Sequence, residues 1–285
     1  NTLLLIQSSD ADAGSTFTDS SSAPYTVSVK GDVSHNSTQS KFGSSSIKFD
    51  GSFGDDLTVP NDSSWHFQAG AFTVECWFYI EEFRSTGPTT TVGSEYWSGL
   101  IGQMRWWDPG TSPVSGHRGW SLGYNDLGQV VWMVGDDVIK SATGIVKKNQ
   151  WHHIAVSRVA GELENIYLNG NKVASAISPH DFNADELGPP AFSSFIPLRI
   201  GEFFSDYNSH SHNGYIEEIR ILITSIFNIR LFPEEIYFLS QMPSEINLSY
   251  ILIISLFSLL ITFFATIFPS LSAARLDPIK ALKYE

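Results

Sequence analysis

The sequence predicts an all-β antiparallel sandwich followed by a single C-terminal transmembrane helix. Three observations lead there. Short apolar or alternating runs recur between Gly, Ser, Asn and Pro clusters over roughly the first 221 residues, the spacing of sandwich strands. Convincing helical periodicity is absent from that stretch. Then Ile251–Phe268 is almost wholly apolar, and no charged residue occurs from Ile246 to Ala274.

The strands expected from pattern are Thr2–Ile6, Tyr25–Val29, Ser45–Phe49, Asp56–Val59, Ala71–Ile80, Trp120–Tyr124, Gln129–Val134, His152–Arg158, Asn165–Asn169, Lys172–Ala176, Leu198–Gly201 and Gly214–Ile221. Alternation is clearest in Phe72, Val74, Cys76, Phe78 and Ile80, an apolar face backed by Thr73, Glu75, Trp77 and Tyr79. Asn169-Gly170 supplies the two positive-φ residues of a tight hairpin, and a second turn is expected around Asp126–Gly128. Gly87–Gly119 reads as a long irregular insertion, rich in Gly, Pro and Trp. Leu248–Phe268 is long enough to span a hydrocarbon core of about 30 Å. The organisation expected is therefore a sandwich over 1–221, a junction over 222–247, a span over 248–268 and a tail over 269–285.

Composition narrows the function. With 17 basic against 30 acidic side chains the net charge is −13, which repels phosphate backbones and makes nucleic acid an unsuitable partner. Cys76 is the only cysteine, so no intrachain disulfide forms, and its place in TVECWFYI reads as core rather than as a reactive thiol. NTLLLI is too short for a signal-peptide core, so no targeting segment is expected.

KFGSSSIKFDGSFGDDLTVPNDSSWHF, followed in order by FTVECWFYI, WHHIAVSR, IYLNGNKVAS, PLRIG and NGYIEEIRI, resembles a laminin-G-like (concanavalin A-like) jelly roll. In that scaffold Phe49, Leu57 and Val59 are expected in the core. Gly51 and Gly54 are expected to bend the chain, and Trp77 and Trp151 to fill the space between sheets.

Glycosidases on this sandwich need paired carboxylates on one strand face. No run such as E-x-D-x-x-E occurs, so a non-catalytic module is expected and a glycoside hydrolase is disfavoured. Glu217 or Glu218 is expected to anchor the closing strand. His152 and His153 point to opposite faces of a strand and cannot share a metal. His210 and His212, beside Asp206, are read as loop residues rather than ligands. The resemblance implies calcium at the sandwich rim, for which Asp55, Asp56, Asp206 and Asn208 are the candidate ligands. For glycan or another surface ligand the candidates are Trp97, Trp106, Trp107 and Trp120, whose indoles stack on sugars when exposed. Polar neighbours Gln103, Asp108 and Asn125 are available to bond hydroxyls.

LFPEEIYFLSQMPSEINLSYILIISLFSLLITFFATIFPSLSAARLDPIKALKYE resembles the C-terminus of a lipoprotein-releasing ABC transporter permease of the FtsX-like class. That resemblance implies a membrane anchor, with ABC transporter subunits as partners only if the tail is functional. One helix supplies no transport pathway. Arg275, Lys280 and Lys283 follow the span, so its C-terminus is expected in the cytoplasm and the β-domain outside it. The two resemblances meet near residues 221–228 without a linker. A join of unrelated reading frames is favoured over a naturally anchored protein.

Overall fold

The structure is a computed structural model. It describes residues 2–8, 14–85, 95–107, 116–177, 196–202 and 211–223, together with 258, 259 and 262. The chain divides into two units, Asn1–Leu231 and Phe232–Glu285. In the second unit Ser258, Leu259 and Thr262 are helical, and the Thr262 hydroxyl donates to the Ser258 carbonyl at 2.8 Å. Among the described residues no helix is long and apolar enough to cross a membrane; the remainder of the expected span and the tail lie outside them.

The first unit is built from β1 (Thr2–Ile6), β2 (Ser28–Lys30), β3 (Ser34–Asn36), β4 (Ser46–Asp50), β5 (Asp56–Val59), β6 (Phe72–Ile80), β7 (Trp97–Trp107) and β8 (Gly116–Asn125). It continues with β9 (Val130–Val134), β10 (Asp137–Lys140), β11 (Trp151–Arg158), β12 (Glu164–Leu168), β13 (Asn171–Ala176), β14 (Leu198–Ile200) and β15 (Asn213–Ile223). The first sheet runs β13-β12-β11-β6-β15-β4-β3, with β1 also paired to β15. The second runs β10-β9-β8-β7-β14-β5-β2. Every strand pairing named is antiparallel.

The core lies between the sheets. From β6 it takes Phe72, Val74, Cys76, Phe78 and Ile80; from β8 and β9 it takes Trp120, Leu122, Tyr124, Val130, Trp132 and Val134. Phe49, Leu57 and Val59 are buried in it as expected. Burial, with Glu75 adjacent, pushes the Cys76 thiol well above its usual range, so it is an inert core residue. The tryptophans that fill the space are Trp65, Trp120 and Trp132. Each indole N–H finds an acceptor: Pro60 O at 3.1 Å, Trp65 O at 2.8 Å and Glu164 Oε2 at 2.7 Å. Trp77 and Trp151, expected between the sheets, stand instead on the outward face of the first sheet, opposite His153 and Tyr79. Strand alternation requires this, because Cys76, Phe78 and His152 occupy the inward positions.

Within the expected insertion Gly87–Gly119, the described residues include β7 and the start of β8, which pair with each other with a bulge between Gly99 and Ile101 rather than forming an irregular loop. That bulge, with three glycines nearby, breaks the alternation that would have marked β7. The Asn169-Gly170 turn has φ of 51° and 79°, the geometry its sequence requires.

Gly201 and Gly54 provide a matched test of crowding, with φ of +89° and +86°. A Cβ at Gly201 would sit 2.1 Å from the Phe49 ring, whereas at Gly54 it meets nothing within 4 Å. Gly54→Ala should lose only the conformational strain, about 1 kcal/mol. Gly201→Ala should lose about 1–3 kcal/mol more through the clash. Equal denaturant midpoints for the two variants would show that Phe49 yields freely.

Candidate functional site

The tryptophans expected to meet a ligand, with Asn125, are spread along the β7–β8 pairing. Trp97 pairs with Asn125 at one end of the β7–β8 hairpin, and Trp106 and Trp107 pair with His117 and Gly116 at the other. At about 3.3 Å of rise per residue the ends lie roughly 30 Å apart. Trp97 and Trp120 are not the exposed stacking surfaces expected, being 1% and 0% accessible. Trp120 belongs to the main core, and Trp97 to a small outward-face cluster with Met104, Val131 and Met133. Asn125 is buried too, its amide donating to Glu95 and Gln129 at 2.9 Å each. Gln103 faces the core side and donates to Ile196 O and Asn61 Oδ1. The side chains of Trp106 and Trp107, and the whole of Asp108, lie outside the described residues.

Sequence reasoning missed the group that organises the Trp97 end. Glu95 accepts from the Trp97 indole at 3.0 Å and from Lys140 at 2.7 Å. Desolvation opposes its ionisation, but these bonds, the Asn125 amide and the Lys140 charge hold its carboxyl below the usual range.

At the rim, Asp56 is committed to structure. Its carboxylate meets Arg199 at 2.8 Å and Lys30 at 3.8 Å, and accepts from the Thr58 hydroxyl. Arg199 also reaches Glu202 at 2.9 Å. A metal would have to displace the guanidinium, so the expectation for Asp56 is corrected. Asp55 differs. It is 3% accessible, accepts from the Asp32 backbone N–H at 3.1 Å, and its Oδ2 has no hydrogen-bond donor. Burial and the neighbouring Asp50 carboxyl push it up to about 6. Asp50, not singled out from sequence, accepts from the Ser52 backbone N–H at 2.7 Å. Among the described residues no group of three or more His, Cys, Asp or Glu is arranged to hold a metal. Asp206 and Asn208 lie outside them. His212 is buried, its ring bonded to the Tyr124 hydroxyl at 2.9 Å, and desolvation pushes it down to about 3. It is a neutral packing group.

The outward face of the first sheet gathers more ionisable chemistry. Across β15, β6 and β11, Glu217, Trp77 and His153 stand in one row and Arg220, Glu75 and Ala155 in the next. Glu75 meets His153 at 3.3 Å and Arg220 at 3.6 Å. Glu217 accepts from the backbone N–H groups of Lys41 and Phe42 at 2.7 and 3.2 Å, so it anchors β15 as expected. Strands β7, β8 and β9 carry no Asp or Glu.

Residues 50–236 match the family described as the concanavalin A-like lectin/glucanases superfamily. Among solved structures, the chain is similar to the binding domain of Paraclostridial Mosquitocidal Protein 1, with TM-score 0.54 and 15% identity over 83% of this chain and 51% of that one. It is similar to the receptor binding domain of botulinum neurotoxin D, with TM-score 0.50 and 14% identity over 83% and 52%. The binding domain of botulinum neurotoxin DC in complex with SialylT gives 0.50 and 16% over 79% and 48%. At these identities the likeness is one of fold, and the chain spans about half the length of these structures. A separate match is to the lipoprotein-releasing system transmembrane protein LolC of Xylella fastidiosa, 40% identical over 70 residues, 25% of this chain and 17% of that protein. LolC of Neisseria meningitidis serogroup B is 31% identical over 61 residues, 21% and 15% of the respective chains. These matches are too short to extend the permease family to the whole chain.

Proposed function

The chain belongs to the concanavalin A-like lectin/glucanases superfamily, and on that footing we propose that its sandwich is a non-catalytic binding module for carbohydrate or another surface ligand. The observation that carries this reading is the β7–β8 hairpin. It is the longest pairing of the second sheet, it ends in Trp106 and Trp107, and neither strand bears a carboxylate. An indole at that end without an acid pair suits holding a sugar rather than cleaving it.

Calcium is the second reading, narrowed to the Asp50–Asp55 corner. The unbonded Oδ2 of buried Asp55 supports it, since a hard cation takes carboxylate oxygens that have no donor. The third part of the proposal is the anchor. Leu248–Phe268 spans the membrane with Arg275 and Lys280 on the cytoplasmic side, and the sandwich is extracytoplasmic. The uncharged run and the short LolC match support this, but they support an anchor and not transport.

On a glycan array, Trp106→Ala and Trp107→Ala should each weaken binding by about 1–3 kcal/mol with little change in melting temperature, as for a truncated aromatic hot spot. Trp120→Ala should instead destabilise the fold by about 3–5 kcal/mol. Array binding that survives both hairpin substitutions would move the ligand elsewhere. Millimolar Ca²⁺ should raise the melting temperature of chelated protein, and Asp55→Asn should abolish the rise; no rise in the parent protein removes calcium from the account. With a signal peptide added, protease applied to spheroplasts should digest the sandwich and spare the C-terminus. A sandwich protected from outside under those conditions would overturn the topology.

A further inference from the structure

The far end of the β7–β8 hairpin carries two like charges in register. Arg105 stands directly opposite Arg118. That pairing puts their Cβ atoms about 4.5–5.5 Å apart, and like charges so placed are destabilising. The register runs unshifted from Gln103 and Trp120 through to Trp107 and Gly116. By strand alternation Arg105, Arg118 and Trp107 therefore take the face that Trp120 presents to the core, and continue it toward the end of the hairpin.

Other arginines of the sandwich are neutralised. Arg158 meets Glu164, Arg199 meets Asp56 and Glu202, and Arg220 meets Glu75 and Glu218. Arg118 has no carboxylate partner among the described residues. Its Nη1 donates to the neighbouring His117 carbonyl at 3.2 Å, and its Nε is buried without an acceptor. An orphaned buried donor of this kind calls for a partner outside the chain. Asp136, on the turn between β9 and β10, is taken up instead by the backbone N–H and ring of His117, at 2.9 and 2.8 Å.

We propose that Arg105, Arg118 and Trp107 form a subsite for an acidic sugar, whose carboxylate or sulfate ester sits between the two arginines. The proposal rests on the carbohydrate reading and narrows it. An anion placed there turns the repulsion of two guanidinium groups into a pair of charge-assisted hydrogen bonds, which their planar forks suit. Trp107, on the same face, supplies the aromatic group for the sugar itself. The rest of the molecule limits how much charge is accepted. A net charge of −13 repels a polyanion as a whole, whereas the arginine pair acts at contact, well within the screening length of about 8 Å. The ligand is accordingly an otherwise neutral glycan bearing one isolated acidic group, not a densely charged polymer.

A glycan array probed with the full chain in detergent tests this. It carries neutral oligosaccharides, the same chains with one uronic acid, the same chains with one sulfate ester, and dextran sulfate. An acidic set should bind roughly ten- to a hundredfold more tightly than its neutral counterpart, as for hydrogen bonds to a charged group. The tighter of the two acidic sets identifies the group as carboxylate or sulfate. Dextran sulfate should bind no better than the neutral chains, and tighter binding there would overturn the isolated-charge assignment. Arg118→Gln and Arg105→Gln should each bring acidic chains down to the neutral level. Their melting temperatures should hold or rise, because one of two opposed like charges is gone. Equal binding of neutral and acidic chains, or an acidic preference that survives both substitutions, overturns the subsite and leaves the carbohydrate reading standing. Failure of every set to bind overturns both. The comparison of neutral with acidic chains uses the parent protein, so it decides even where a variant does not fold.

Discussion

Strand β6 sits between β11 and β15 in the first sheet, paired along most of its length on both sides. Because side chains alternate, the inward course of Phe72, Val74, Cys76, Phe78 and Ile80 sets the parity of both neighbours. A slip of one residue would turn Glu75, Trp77 and the outward ion pairs into the core and bring the apolar row into water. That cost fixes the register. It also decides that His152 faces inward and His153 outward, and that Glu217 lies beside Trp77 on the solvent side.

The core ends at polar groups that are buried and paired. At one end Arg158 donates to the carbonyls of Gln68 and Gly70, meets Glu164 at 3.4 Å, and lies over the Phe72 ring. Glu164 in turn accepts from the Trp132 indole. At the other end Tyr124 and His212 bond each other, and Asp56, Arg199 and Glu202 form a chain of ion pairs. A buried charge left without its partner is costly, so a loop tied down by one of these pairs cannot leave without stranding a charge in the sandwich. The same logic separates Asp56, which is engaged, from Asp55, whose second oxygen is not.

This division of labour shapes the functional reading. Most candidates that sequence put forward for recognition prove to be structural: Trp97 and Asn125 serve the Glu95 network, and Trp120 serves the core. The proposed ligand and calcium sites therefore narrow to the far end of the β7–β8 hairpin and the Asp50–Asp55 corner.

Alternation and turn chemistry determined the sandwich from sequence. β6, β11, β12 and the Asn169-Gly170 hairpin were legible because period-two patterning and positive-φ residues are local properties. β7 was not, because its bulge and glycines erase the pattern while partner strands supply its hydrogen bonds. Burial of Trp97 and Trp120 was hidden for a related reason: an indole stacks on sugar or fills a core according to what packs against it. The adjacent Asp55 and Asp56 look alike in sequence, yet one finds Arg199 from 143 residues away and the other does not. Glu217 was legible as one of two candidate anchors of the closing strand, but its partners were not, because the Lys41 and Phe42 backbone N–H groups that it holds lie some 175 residues away in the chain and only the tertiary fold brings them to its carboxylate.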